Sequence, residues 1–348
     1  MHKFFGCFLL AIFFVAETKA QSDSVKVCES SCCCNNEVAL PAGVMLGHVH
    51  AKGEWMLSYR YMNMGMEGVQ QNGTVLHDNM PVFNDYVMAP SHMYMNMHML
   101  MAMYGINNRL TLMAMLHLNH NIMEMEMLGA GGNHVHSGSV SHGHEMSSIG
   151  LGDTKLYAMY ALKNSLHHKW IVNAGVSFPT GSIEETDNDG DRLAYNMQLG
   201  SGTVDVLPGL TYLYHNVKYT VGTQLNGVVR FGYNKLGYSK GNEASFNIWY
   251  AYRWLRFLSS SLRLEAQAMD RIYGNDNTLY YFTEPANNPI NYGGTLLAAH
   301  VGTSWQPASS FFKNQKLSAE FGLPFYQNWR GYQMPLKYSI NAYWTLTF

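Results

Sequence analysis

Apolar and polar residues alternate with a period of two along most of this chain, and the alternation is longest between His92 and Leu128. It runs His-Met-Tyr-Met-Asn-Met-His-Met-Leu-Met-Ala-Met-Tyr, crosses Gly105-Ile-Asn-Asn108, and resumes from Arg109 as Arg-Leu-Thr-Leu-Met-Ala-Met-Leu-His-Leu-Asn-His. A period of two on both sides of a short polar turn predicts a β-hairpin. The same rhythm predicts strands near 54–63, 93–104, 109–127, 151–162, 170–179, 203–214, 218–232, 244–254, 260–272, 294–304, 316–326 and 337–348. Their connections alternate in length. Short ones fall near 107–108, 163–169, 215–217, 255–259 and 306–314, and long ones at 64–91, 128–150, 180–200, 233–243, 273–293 and 327–335.

Short turns on one rim and long loops on the other are the arrangement of outer-membrane barrels. The bilayer core offers no water to an open strand edge, so such a sheet must close. The last strand fits: Tyr338, Ile340, Ala342, Trp344, Leu346 and Phe348 share one face, and the chain ends on that aromatic. This resembles the closing-strand signal read by barrel-assembly machinery, an expected partner together with outer-membrane lipid. The expected fold is an all-β, closed antiparallel transmembrane β-barrel of about 12 strands over residues 54–348.

Composition adds two facts. Only 13% of residues are charged and the net charge is −2. Nothing in that balance suggests nucleic acid as a partner. Methionine (24 residues) and histidine (16) are abundant and concentrated, with twenty methionines between Met45 and Met159 and eleven histidines between His48 and His144. Residues 1–20 form a secretory signal: Lys3, an apolar run from Phe8 to Ala16, then Thr18-Lys19-Ala20. Export to the outer membrane of a Gram-negative cell follows. Residues 21–53 are expected as a Cys-containing periplasmic extension.

From Gly150 onward three motifs follow in order: Ile149-Gly-Leu-Gly-Asp-Thr-Lys-Leu-Tyr-Ala-Met-Tyr-Ala-Leu162, Gly175-Val-Ser-Phe-Pro-Thr-Gly-Ser182 and Gln198-Leu-Gly-Ser-Gly-Thr-Val-Asp-Val-Leu-Pro-Gly-Leu210. Together with Tyr104-Gly-Ile-Asn-Asn-Arg-Leu110 they resemble the outer-membrane family named after the meta-pathway of phenol degradation. That group of transporters lies within the wider superfamily that includes long-chain fatty-acid channels. The resemblance implies a barrel that passes small hydrophobic or aromatic compounds. Its motifs are structural, so no catalytic residue carries over, and a non-enzyme is expected. Methionine and histidine enrichment is not part of that pattern.

Thioethers suit Cu(I), and imidazoles suit Cu(II), zinc and nickel. Met62, Met64 and Met66 alternate at the start of the first long connection. His48/His50, His134/His136 and His142/His144 repeat a His-x-His spacing, which in an extended chain presents two imidazoles on one face. Cys28, Cys32, Cys33 and Cys34 fit either disulfides, as the oxidising compartment favours, or a soft-metal site. Asp187, Asp189 and Asp191 loosely resemble a calcium loop, but Asn196 stands where the closing glutamate belongs. An acidic surface loop is the expectation there.

Within the hairpin, Leu110, Leu112, Ala114, Leu116, Leu118 and Ile122 are assigned to lipid. Met113, Met115, His117, Asn119, Asn121, Met123 and Met125 then face the lumen, since the reverse would place two amides in hydrocarbon. The first arm depends on the turn, because a one-residue slip exchanges faces. A two-residue Asn107-Asn108 turn pairs His98 with His117 in the lumen and is favoured. A three-residue turn would instead bring Met97, Met99 and Met101 inside as a ladder of sulfur.

The leading expectation is a barrel that binds or transports soft metal ions, most of all copper, through Met62, Met64, Met66, His98, Met113, Met115, His117, His134, His136, His142, His144 and the four cysteines. No resident cofactor is required, copper being the cargo. Two alternatives stand beside it: a channel for small hydrophobic compounds, and a barrel that only anchors metal-collecting loops. Pro208, inside a predicted strand, removes a ladder hydrogen bond, and marks a bulge or a side opening.

Overall fold

The alternation becomes two faces of one wall. In the computed structural model, residues 39–76, 86–127, 144–307 and 314–348 are described. The chain divides into Met1–Glu37 and Val38–Phe348. The first unit, with the expected signal segment and Cys28, Cys32, Cys33 and Cys34, lies outside the described residues, as do His134, His136 and His142.

In chain order the strands are β1 (Trp55–Glu67), β2 (Val69–Gln71), β3 (Thr74–Leu76), β4 (Met88–Asn107), β5 (Leu110–Met127), β6 (His144–Leu151), β7 (Thr154–Asn164), β8 (His168–Phe178) and β9 (Asp205–His215). They continue as β10 (Tyr219–Arg230), β11 (Tyr238–Ser239), β12 (Glu243–Leu255), β13 (Leu258–Met269), β14 (Tyr273–Gly274), β15 (Gly294–Trp305), β16 (Gln315–Trp329), β17 (Tyr332–Gln333) and β18 (Leu336–Thr347). Sequential antiparallel pairing runs from β4 through β5, β7, β8, β9, β10, β12, β13, β15, β16 and β18 to β1, and β1 pairs with β4. The ring is therefore a closed antiparallel barrel of twelve wall strands, with β6 continuing β7 upward along β5. At the seam, Trp55 and Phe348 exchange backbone hydrogen bonds of 2.8 and 2.9 Å. The short β2, β3, β11, β14 and β17 lie in the long connections.

Lipid-facing positions carry Leu57, Leu100, Leu112, Leu116 and Leu118, all exposed. On the intervening inward positions Met56, Met99, Met101, Met103, Met113 and Met115 are buried. Rings pair on the short-turn rim, as in Trp55–Tyr104, Trp170–Tyr212 and Tyr219–Tyr250. Such aromatic girdles mark the membrane interface, and the long-loop rim is extracellular by the usual barrel arrangement.

The hairpin register differs from the favoured one. Its turn spans Asn108-Arg109, with Asn107 paired to Leu110 and its Oδ1 accepting from the amides of Arg109 and Leu110. A shift between Gly105 and Asn107 leaves Ile106 unmatched, so Met99 rather than His98 lies opposite His117. One extra residue reverses every side chain of the arm. The cause is a contact distant in sequence: the chain entering β1 crosses there, with Gly53 N–H bonded to Gly105 O (2.8 Å) and Gly105 N–H to Glu54 O (3.0 Å). Any Cβ at Gly105 would meet Ala51 O. The six alternating methionines therefore line the lumen, and His98 faces outward.

Two further expectations change. Pro208 stays in register with Ala174, and the β9–β10 ladder keeps one register but skips Leu207 and Pro208, so the proline marks a gap in pairing and not a bulge. Residues 39–50, expected within the periplasmic extension, pack inside the barrel, with Ala42, Val44, Leu46 and His50 buried. The polar wall binds their backbone. Gln224 Nε2 donates to Met45 O (2.6 Å), Arg60 Nη2 to Val44 O (3.3 Å), Lys316 Nζ to Leu40 O (3.3 Å), and His50 N–H donates to Thr111 Oγ1 (2.8 Å). Val44 and Leu46 meanwhile pack against the methionines, so an extended segment satisfies its amides on one side and its apolar surface on the other.

Candidate functional site

Register decides which sulfurs meet. Opposed residues on antiparallel strands share a face with Cβ atoms about 5 Å apart, so the paired inward positions of β1, β4, β5 and β6/β7 form horizontal rungs. The lowest is Met56–Met103–Met113–Tyr157, followed by Ser58–Met101–Met115–Lys155, then Arg60–Met99–His117. Above these come Met62–Met97–Asn119–Gly150, Met64–Met95–Asn121–Ser148 and Met66–Met93–Met123–Met146. Met62, Met64 and Met66 thus belong to β1, not to a loop as expected, because β1 extends to Glu67.

The methionines gather into two clusters. The lower joins buried Met56, Met99, Met101, Met103, Met113, Met115 and Met159 to Ile171, Leu213 and Trp249. The upper joins Met93, Met123, Met125, Met146 and Met197 to Leu193, with Met66, Met88, Met95 and Met334 packed around it. Leu193 and Met197 come from the long connection 179–204, which folds against the inner face of β5 and β6. Ser148 Oγ donates to Met197 O (2.7 Å), and Asn119 Nδ2 to Leu199 O (3.4 Å). Asn196 Nδ2 lies 3.5 Å from Met93 Sδ and 3.9 Å from Met123 Sδ.

Among the expected ligands, Met113, Met115 and His117 do face the lumen and are buried. His117 stands opposite Met99, and its Nδ1 lies 3.0 Å from Asp153 O. His144 sits above the upper cluster opposite Met125, its Nε2 3.7 Å from Asp187 Oδ2. Asp187 itself is used locally: its Oδ1 accepts from the amides of Asp189 and Asp191. His98 is removed from the lumen set; its Nδ1 is 2.6 Å from the Tyr59 hydroxyl on the outer face, beside Asn96, Tyr61 and Asn63. Among the described residues, no group of three or more His, Cys, Asp or Glu is placed to hold a metal ion.

The opposite wall is charged. Arg263 donates to Glu320 Oε1 (3.1 Å from Nε), Asn247 Oδ1 (2.6 Å) and Glu265 Oε2 (3.0 Å), and His300 lies within 3.0 Å of Glu265 and 3.4 Å of Glu320. Gly43 N–H reaches Glu320 Oε2 at 3.4 Å. Sequence reasoning missed this network, the inserted Asn196 and Met197, and Met93, Met95 and Met103 of β4. Met97, Met99 and Met101 are expected inward only in the less favoured register, and Met123 and Met125 face the lumen as expected. The alternation of the six β4 methionines was the available signal, and its face was unresolved.

One stretch of wall is incomplete. β8 ends at Phe178 opposite Thr154, so the edge of β6 away from β5 pairs with no strand among the described residues. Connection 179–204 stands behind it, anchored where Asp153 accepts from the amides of Gly181 (3.0 Å) and Ser201 (2.8 Å) and Thr180 Oγ1 donates to Gly152 O (3.0 Å). Ile149, Leu151, Phe178 and Val204 border the break and are exposed.

No family model and no curated protein matches the chain. Among solved structures it is similar to the COG4313 outer membrane channel from Pseudomonas putida F1, with a TM-score of 0.58 and 14% identity over 86% of this chain and 97% of that one. The P. putida toluene transporter TodX (TM-score 0.42, 11% identity, 87% and 92% covered) and a Pseudomonas aeruginosa FadL homologue (0.42, 9%, 85% and 90%) are too distant in shape to carry an argument. The fold is that of a closed outer-membrane β-barrel.

Proposed function

We propose that this barrel is an outer-membrane channel for small solutes of low polarity, which cross the upper methionine cluster and leave sideways past β6. The observation that carries this reading is the unpaired edge of β6. An open edge facing hydrocarbon is costly unless other parts of the protein cover it, and here the cover is a connection rather than a strand. Behind it lie thioethers, which adapt their shape to varied apolar guests. Ser147, exposed on β6 beside the break, provides the test. Cells carrying the barrel are expected to take up a radiolabelled alkylbenzene faster than cells without it. Ser147→Cys treated with a bulky maleimide is expected to slow uptake relative to the unsubstituted chain treated alike. Uptake equal to that of cells without the barrel would sink the channel reading, and uptake unchanged by the label would remove the lateral route.

A second reading, soft metal ions as cargo, is supported by the segregation of residue types across one wall. By strand alternation, every wall methionine with a described side chain points inward, whereas the lipid face of the same strands carries leucine. Burial alone would be served as well by leucine on both faces. Copper as Cu(I) is the ion these donors suit.

A further inference from the structure

We infer that the rung Met66–Met93–Met123–Met146, roofed by Asn196 and Met197, is a binding site for a monovalent soft cation, Cu(I) or its mimic Ag(I). The inference rests on the soft-metal reading and gives it a place.

Three adjacent strand pairs put the four methionines of the rung side by side: Met66 opposite Met93, Met93 opposite Met123, Met123 opposite Met146. Two of their sulfurs also share one neighbour from the inserted connection. One amide nitrogen, Asn196 Nδ2, is within 4 Å of two of them, at 3.5 Å from Met93 Sδ and 3.9 Å from Met123 Sδ. Two thioethers therefore already direct lone pairs at one positively polarised group. Met197 lies in the same buried cluster. The side-chain Oδ1 of Asn196 is buried without a hydrogen-bond partner, so the side-chain amide is held through its contacts with the two sulfurs and can give way to a cation.

The donor chemistry selects the ion. Thioethers are neutral and soft, a poor replacement for the water around a divalent or hard ion and a good one for Cu(I). Among the described residues, no group of three or more His, Cys, Asp or Glu is placed to hold zinc or Cu(II), and the His300, Glu265 and Glu320 side chains are engaged with Arg263 and one another. The competing account is that methionine only fills irregular space. Leucine separates the two, since exchanging methionine for leucine keeps volume and apolarity but removes the sulfur.

The experiment uses the full chain purified in detergent, loaded with Cu(I) under ascorbate and argon, challenged with a chromogenic Cu(I) chelator, and counted by native mass spectrometry. The wild type is expected to keep at least one Cu(I), with sulfur-only scattering in its X-ray absorption spectrum. Met93→Leu/Met123→Leu is expected to lose one equivalent while still showing the heat-modifiable migration of a folded barrel. Met101→Leu/Met115→Leu, in the lower cluster, is expected to keep that equivalent. A wild type that retains no Cu(I) overturns both this site and the soft-metal reading. A Met93→Leu/Met123→Leu barrel that binds as many ions as tightly as the wild type overturns the site alone and leaves that reading standing.

Discussion

The two halves of the inner wall obey the same alternation and are built for different tasks. On β1, β4, β5 and β6 the inward positions are mostly methionine, interrupted by Ser58, Arg60, His117, Asn119, Asn121 and Ser148. On β12, β13, β15 and β16 they include Asn247, Arg263, Glu265, His300 and Glu320. The inserted segment 39–50 lies between the two and uses both. Thioethers cannot satisfy a backbone, so polar side chains around the ring take it. Lys316 on β16 and Gln224 on β10 bind the carbonyls of Leu40 and Met45, and Arg60 on β1 that of Val44, while the methionines pack against the side chains of Val44 and Leu46. One half is therefore fixed by charge pairing and the other by packing that tolerates exchange, and this difference can be tested.

The largest expected effect is on the charged half. Glu320 has no exposed side-chain surface, and Arg263 is its main partner. Arg263→Met leaves a buried carboxylate without its cation, which costs about 3–5 kcal/mol. Denaturant unfolding in detergent micelles checks this. A loss below about 1 kcal/mol, the range of an exposed ion pair, would mean that water already reaches the network.

Gly43 comes next. Any side chain there would collide with Arg263 and Glu320. Gly43→Val is expected to cost about 1–3 kcal/mol, the usual range for overpacking, and to expel the segment rather than open the ring. Proteolysis within 39–50 together with raised single-channel conductance would report that. Unchanged conductance with normal folding would show that the segment does not obstruct the lumen.

A second cover, the connection 275–293 that meets the top of β4, is expected to respond to pH. The amides of Val87 and Met88 at the top of β4 donate to Thr283 O at 3.2 and 2.9 Å. The adjacent Glu284 is buried, and burial raises its carboxyl from 4.5 to about 7. The folded cover thus holds this proton more tightly than the unfolded chain does. The contribution to stability is complete below the ordinary carboxylate pKa and disappears as pH rises through about 7. Hydrogen exchange over 275–293 is expected to speed up between pH 5 and pH 8 beyond the intrinsic rate change, and Glu284→Gln is expected to abolish that excess. Protection independent of pH in the wild type would refute the assignment.

How much was legible in the sequence follows from the range of each interaction. Strand positions were, because lipid on one side imposes a local period of two, visible in Leu112, Leu116 and Leu118 against Met113, Met115 and His117. Register was not. It turns on Ile106 being extra in β4, and that depends on Ala51–Glu54 crossing the rim at Gly105, some fifty residues away in the chain. The rung of Met66, Met93, Met123 and Met146 required three such registers at once. The insertion of 39–50 was hidden as well, because Val44 and Leu46 are too few to outweigh the polar composition around them. Met113, Met115 and His117 were placed correctly because Asn119 and Asn121 fixed the face of β5.

The smallest expected effect completes the contrast between the walls. Met115 is fully buried opposite Met101, in a cluster where flexible side chains share the space. Met115→Leu preserves volume and apolarity, so it is expected to cost less than about 1.5 kcal/mol, well below the Arg263 change measured in the same micelles. If it costs as much as Arg263→Met, the methionine wall is a rigidly fitted core, and its plasticity cannot explain how varied solutes are received. If it costs little, packing places no demand on sulfur there. Any role of the thioether itself must then be read from ion binding, and the copper-loading comparison of the two double variants, which expects no loss at Met101 and Met115, is what decides whether it is confined to the upper rung.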